Sequence, residues 1–391
     1  MNKISNISAL FLSVVVPFLA LTAATFFLPN VMDAREFGFW RILASVCAFS
    51  GIAHLGFVDG IYLKWIEERR SGVSNHLRIP FFNLLWMTLV FSFLGSLYIY
   101  YSFFGQVSYA EILLSVFVIS FSTNLYSASV NYLRVFNSGF RLTLLLSMQS
   151  LVFVVFLFIS YIYFDIDRNW VAAVYAASML ITPVILFREI FYLKKIKVSS
   201  FVLNGGANFM LGNLGLILFA NVDKIYVASQ LGDLRDFARY SVASSLIVAA
   251  ATLGASTGQI LLSKSIIQKL RINTILAALL IGVLMYIALR NSINTYLNTV
   301  FSDYQIDYSL FTLASMLVFY YSSLLYAKMV SIKVDFYPYL QLIGAGFYII
   351  LCIAIQKSQT FGIFEASVIA IICAVLFNII IAISTIIRRV K

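Results

Sequence analysis

Charge is what this sequence has least of: 11% of its 391 residues are Asp, Glu, Lys or Arg, against 62% apolar residues. Soluble globular chains carry about 25% charged residues, so a water-facing fold is excluded. This is a polytopic membrane protein, and no long polar stretch is left over for a soluble domain. Cysteine is scarce too, with Cys47, Cys352 and Cys373 each inside an apolar run. They read as small packing residues rather than disulfide partners or metal ligands. The sequence contains neither a Gly-rich phosphate loop nor a cluster with metal-ligand spacing, the usual signs of ATP hydrolysis or metal chemistry. No cofactor is expected, apart from coupling to H+ or Na+. The net charge of +11 is not carried by any long basic run. Positive-inside bias and anionic headgroups account for it, so membrane lipids are the expected neighbours and no nucleic acid is.

What is present is a series of long apolar runs. A bilayer core of about 30 Å takes about 20 helical residues, and the chain divides into about twelve such runs. The first six are Ile7 to Asn30, Phe37 to Leu63, Phe81 to Phe104, Ala110 to Val135, Leu142 to Phe164 and Trp170 to Tyr192. The second six are Ala207 to Leu231, Ala238 to Ser263, Ile272 to Leu289, Tyr308 to Val330, Phe336 to Ile355 and Phe361 to Ile387. Lipid offers no partner to an unpaired backbone group, so these runs are expected to be α-helices. The first reaches Phe27, longer than a signal-peptide core, and is read as a helix.

Of the 27 Lys and Arg residues, nineteen fall on one set of alternate loops and termini, seven on the other, and Lys224 lies within a span. Basic loops stay in the cytoplasm, which puts both termini there.

The halves repeat. "DAREFGFW" at Asp33 to Trp40 matches "DLRDFARY" at Asp233 to Tyr240, each between an odd-numbered and an even-numbered span. Gly56 and Gly60 correspond to Gly254 and Gly258 with a slip of two residues, and "NYLRVF" with Arg134 corresponds to "LYAKMV" with Lys328. Copies six spans apart insert with the same orientation, so the expected architecture is an all-α protein of two parallel six-helix lobes around a central cavity. The expected boundaries are an N-lobe at 1–197, a cytoplasmic linker at 198–206 that ends the basic join Arg188 to Gly206 in a glycine pair, and a C-lobe at 207–391.

The stretches "FLPNVMDAREFGFWRILASV", "LGFVDG" and "DKIYVASQLGDLRDFARYSVA" resemble the polysaccharide transporter branch of the multidrug/oligosaccharidyl-lipid/polysaccharide (MOP) superfamily, whose members include O-antigen and capsule repeat-unit flippases. The resemblance covers nearly the whole chain. It implies a MOP flippase-like fold in a bacterial inner membrane and transport of an undecaprenyl-pyrophosphate-linked oligosaccharide from the cytoplasmic to the outer leaflet. It also implies a lipopolysaccharide or capsule pathway whose glycosyltransferases and polymerase are the natural partners.

Asp223 and Lys224 stand side by side in the seventh span. Adjacent helical residues point about 100° apart, so each is expected to find a partner elsewhere. Lys224 shares a face with Asn213 and lies near Asn221. Intramembrane charges turn toward a bundle interior or water, so this stripe is read as a phosphate or sugar contact, with an interlobe ion pair as the structural alternative. Ser120, Asn124, Ser127, Asn131 and Arg134 recur at helical spacing along the fourth span. They form either a cavity wall or a set of interhelical bonds with Arg134 snorkelling to headgroups, the better reading for Arg134 and for Lys328. Candidate substrate contacts are therefore Lys224, Asn213, Asn221, Asn124, Asn131, Arg134 and Lys328. Candidate ion-coupling carboxylates are Asp223 and Asp59, although a local pair with Lys64 explains Asp59 equally well. His54 reads as packed against a neighbouring backbone, Glu111 and Glu365 as solvated, the glycine pairs as helix-crossing points, and Pro17 and Pro183 as kinks.

Two other classes compete. A drug or cation antiporter of the same superfamily would want acidic cavity walls, and a membrane-embedded polymerase or glycosyltransferase would want a large external loop. The loops here are about twenty residues or shorter.

Overall fold

A computed structural model describes the chain except residues 1–14, 18, 73–76, 104, 137–139, 165, 194–205, 207–209, 211–213, 215–217, 219–220, 264–266, 268–269, 305, 333–336, 359–360 and 391. Nearly everything described is helix. The protein is an all-α, polytopic membrane protein whose chain separates into two compact units, Met1–Leu214 and Gly215–Lys391.

In the first unit, α1 (residues 19–27) runs into a 3-10 turn, Leu28–Asn30. Then come α2 (Ala34–Cys47), α3 (Phe57–Ser71), α4 (Phe81–Ser102), α5 (Tyr109–Phe136), α6 (Phe140–Tyr163) and α7 (Arg168–Ile190). The central helix is α5, which packs against α4, α7 and α3. Trp65, buried between helices, meets Tyr132 edge-on at 5.4 Å. One feature is not helical: Ile79–Pro80 pairs in parallel with Phe191–Tyr192, a two-residue bridge between the start of α4 and the end of α7.

The second unit contains α8 (residues 221–231), α9 (Leu234–Ser263), α10 (Ile272–Val300), α11 (Ser309–Tyr320), α12 (Tyr326–Ser331), α13 (Tyr337–Lys357) and α14 (Ile363–Val390). Here α9 packs on α11, and α13 on α14. On α10, Leu280, Ile281, Leu284 and Ile287 are exposed, as an apolar helix facing acyl chains requires.

Among the described residues, eight helices are long and apolar enough to cross a membrane, and nine if one bent pair counts as a single span. They fall on nine of the twelve expected runs. Of the other three, the first and seventh include residues outside those described, and the eleventh is helical over Tyr337–Lys357.

The repeated octapeptide has a local physical cause. Asp33 caps α2, its carboxylate accepting the Arg35 N–H at 2.8 Å, and Asp233 accepts the Arg235 N–H at 2.6 Å at the start of α9. Each Asp satisfies an orphan donor of a helix N-terminus. Four residues on, Phe37 and Phe237 are both fully buried and anchor the first turns.

Three expectations need correction. The second run is not one straight helix: α2 and the 3-10 turn Ala48–Ile52 meet α3 at a bend of 56°, through residues 53–56. Leu55 there has φ +46°, and Gly56, at φ +78°, caps α3. The tenth run is interrupted by a π-turn, Tyr321–Leu325, between α11 and α12. Glu111 is not solvated: Arg168 holds it through Nε–Oε1 at 2.9 Å and Nη2–Oε2 at 3.3 Å, while Arg168 Nη1 reaches Glu36 at 3.1 Å. This fork ties the N-termini of α2, α5 and α7, a bidentate geometry that only Arg supplies.

The glycine pairs do allow close approach. A Cβ on Gly258 would lie 2.9 Å from the Ser322 carbonyl oxygen, inside the π-turn. A Cβ on Gly206, at the end of the expected linker, would strike the backbones of Gly56 and Gly60.

Candidate functional site

In the second unit two buried residues of opposite charge stand side by side on α8. Asp223 and Lys224 are 3% and 1% exposed, and the expectation that neighbouring helical charges would look away from each other fails. Lys224 Nζ lies 3.3 Å from Asp223 Oδ1. The 100° between their Cα–Cβ bonds is overcome because the four-carbon lysine stem is long enough to curl its ammonium back. In a medium without water, an unpaired buried charge is costly enough to drive this.

The other carboxylate oxygen is taken as well. Tyr240 on α9 donates its hydroxyl to Asp223 Oδ2 at 2.7 Å. That hydroxyl also lies 2.8 Å from Ser367 Oγ on α14, and Ser367 in turn lies 2.8 Å from the Tyr348 hydroxyl on α13. The chain Lys224–Asp223–Tyr240–Ser367–Tyr348 links four helices, and all five residues are buried. Its walls are aromatic. The Tyr240 ring packs on Phe311 and Phe364, with centroids at 5.7 and 5.5 Å, and Tyr226 meets Tyr348 edge-on while bonding Gln356. Such a network is stiff while every member is satisfied and vulnerable when one is lost.

The remaining candidates do not gather around it. Asn221 is half-buried on α8, and Asn213 lies outside the described residues. Lys328 is buried and donates to the carbonyls of Ile267 and Leu270 at 3.0 and 3.1 Å. In the first unit, Asn124 is 2% exposed and donates to Thr88 Oγ1 at 3.0 Å, an interhelical bond between α5 and α4. Further along α5, Asn131 is half-buried and Arg134 exposed, so the stripe passes from the interior to the surface rather than lining one wall.

Asp59, 8% exposed, does not pair with Lys64, whose ammonium goes to Glu67 at 3.1 Å. It faces His54 instead, at 4.0 Å from Nδ1. The bend between α2 and α3 turns these two side chains toward each other, so His54 is not simply packed on backbone.

Sequence reasoning missed Tyr240, Ser367 and Tyr348. Tyr240 closes the repeated octapeptide, which marked the position without marking its hydroxyl. The other two carried no signal in a chain with 23 tyrosines. Among the described residues no three His, Cys, Asp or Glu side chains gather as a metal site.

No protein-family model matches the sequence, and no curated protein matches it. Solved structures do. The chain is similar to a eukaryotic MATE transporter, with a TM-score of 0.61 at 12% identity over 98% of this chain and 94% of that one. It is also similar to the inward-facing conformation of a multidrug resistance MATE family transporter of the MOP superfamily, with a TM-score of 0.52 at 15% identity over 100% and 95% of the two chains. At these identities the likeness carries the fold alone: the chain folds as these MATE transporters do.

Proposed function

We propose that this protein moves lipid-linked anionic oligosaccharides, of the O-antigen or capsule repeat-unit kind, from the cytoplasmic to the outer leaflet of a bacterial inner membrane by alternating access. The sugars and diphosphate of such a substrate cannot cross hydrocarbon unaided, whereas its lipid tail can stay in the bilayer. The observation that carries the reading is the buried ammonium of Lys224, set 3.3 Å from the Asp223 carboxylate on α8. A proton or Na+ arriving at Asp223 would loosen its hold on Lys224 and free a cation for the diphosphate. Substrate binding would thereby be coupled to an ion gradient. The pathway's glycosyltransferases and polymerase would supply and consume the substrate.

A MATE-type fold also raises the drug or cation antiporter. Against that reading, both oxygens of Asp223 are already bonded, to Lys224 and to Tyr240, which leaves no unpaired carboxylate there for a cationic drug.

The test is complementation of a host lacking its repeat-unit flippase. Restored surface glycan from the wild-type chain is expected. Lys224→Ala should abolish it even when display is normalised to the protein level, and Lys224→Arg should keep part of it, since the charge survives. Drug resistance conferred without glycan display would replace this reading by the antiporter. Wild-type display from Lys224→Ala would remove Lys224 from the mechanism.

A further inference from the structure

The first unit contains a second buried ionisable pair, at the break in the second span, that the transport reading does not use. His54 lies in the turn before α3, and Asp59 in the first turn of α3. They are 5% and 8% exposed, and Nδ1 of His54 has no hydrogen-bond partner. Nδ1 and Asp59 Oδ2 stand 4.0 Å apart, beyond hydrogen-bond length. We propose that His54 and Asp59 form a proton-binding site that sets the bend of the second span.

The charge argument is local. With a neutral imidazole the site has one net negative charge in an interior that solvates it poorly, relieved only in part by the N-terminal end of α3. One proton makes the pair neutral. It also turns Nδ1 into a donor aimed at a carboxylate, and a charge-assisted bond of about 2.8 Å would draw the two groups together. His54 is part of the turn at residues 53–56 and Asp59 belongs to α3, so a bond between them would tie the break to the first turn of α3 and fix the angle between them. The backbone there is already unusual: Leu55 is the one non-glycine residue with positive φ among those described, and Gly56 follows it in the same region.

Among the described residues no other charge stands beside the pair. Among the described residues none lies within 4.0 Å of either group besides the partner itself. Of the elements packed on the break, α4 has no charged residue. Along α5 there are only Glu111, held by Arg168, and the exposed Arg134. Tyr126, also on α5, is committed to the Leu146 carbonyl, and the buried Cys47 on α2 to that of Val116. Gly206 approaches the break at Gly56, and the sequence from Val198 to Val222 contains no ionisable residue. Further along α3, Lys64 pairs with Glu67.

The sequence has two histidines, His54 and His76. In full-length protein carrying His76→Gln and reconstituted in lipid, 15N-histidine NMR therefore reads His54 alone. The expected result is titration of its ring nitrogens between about pH 5 and pH 8, with Asp59→Asn lowering the midpoint by about one unit, a tenfold loss of proton affinity. Spin labels at the exposed positions Arg35 and Arg69 span the bend. Their distance should change across the same pH range and stop changing in His54→Gln, a variant that keeps a polar side chain if Asp59→Asn accumulates poorly. An imidazole that stays neutral throughout, a midpoint unmoved by Asp59→Asn, or a distance that ignores pH would each overturn the proposal. So would a distance change that persists in His54→Gln. None of these outcomes depends on what the protein transports.

Discussion

The two units come from one repeated pattern and differ most where their buried charges lie. Ten residues before its capping Asp233 the second unit has Asp223 and Lys224. Ten residues before Asp33 the first unit has Ala23 and Ala24. The following span differs in the opposite sense. In the first unit it is broken beside His54 and Asp59, whereas α9 runs unbroken over Leu234–Ser263. Aligned by the glycine pairs, the positions of His54 and Asp59 become Thr252 and Thr257 in α9, and each bonds a carbonyl of its own helix, at 2.9 and 2.8 Å. Duplication supplied the frame, with its caps and its glycine crossings. Each unit has a buried pair, Asp223–Lys224 in one and His54–Asp59 in the other, at a position where the other unit has uncharged residues.

The largest expected effect comes from breaking the pair in the second unit. Asp223→Ala leaves Lys224 buried without its carboxylate and should destabilise the protein by about 3–5 kcal/mol. Adding Lys224→Ala, which gives the second unit the Ala-Ala of the first, should restore most of that stability but not transport. Thermal melts in detergent with glycan display measure both, and a double variant no more stable than Asp223→Ala would show that the pair is not what the stability depends on.

Next in size is Gly206→Ala, whose methyl group has only the Gly56 and Gly60 backbones to meet. Overpacking of this kind costs about 1–3 kcal/mol. Gly258→Ala, against the π-turn, should fall in the same range, and equal melting shifts would mean that both units cross helices at equally tight points. Tyr240→Phe removes the donor to Asp223 Oδ2 and should cost about 1–3 kcal/mol, the penalty of one buried acceptor left unmade. Tyr348→Phe, at the far end of the chain, should melt closer to wild type.

The smallest pair tests the likeness rather than the difference. Asp33→Ala and Asp233→Ala each remove an N-cap and should cost about 1 kcal/mol apiece. Unequal shifts would indicate that the octapeptides no longer do the same work in the two units.

How much of this could be read beforehand depended on the range of the interaction. Asp33 and Asp233 act on the N–H two residues away, so their match in the sequence was already a match in structure. Lys328 and Arg134 occupy corresponding sequence positions, yet one is buried on two carbonyls and the other exposed, because neighbouring helices decide what a long side chain can reach. Glu111 looked solvated at a span end until the start of α7 brought Arg168 over it.

The sequence by itself determined residence in a bilayer, the helical runs and the duplicated frame, since hydrophobicity, helix length and capping are properties of contiguous residues. It also located the charges that could not be left alone in lipid. Only the tertiary structure decided what satisfies them. Tyr240 meets Ser367 across 127 positions of sequence, and Asp59 turns from Lys64 to His54 because a span bends by 56°. Inside a membrane a buried charge takes whichever partner the packed helices bring within about 3–4 Å, and that distance is set by the fold rather than by spacing along the chain.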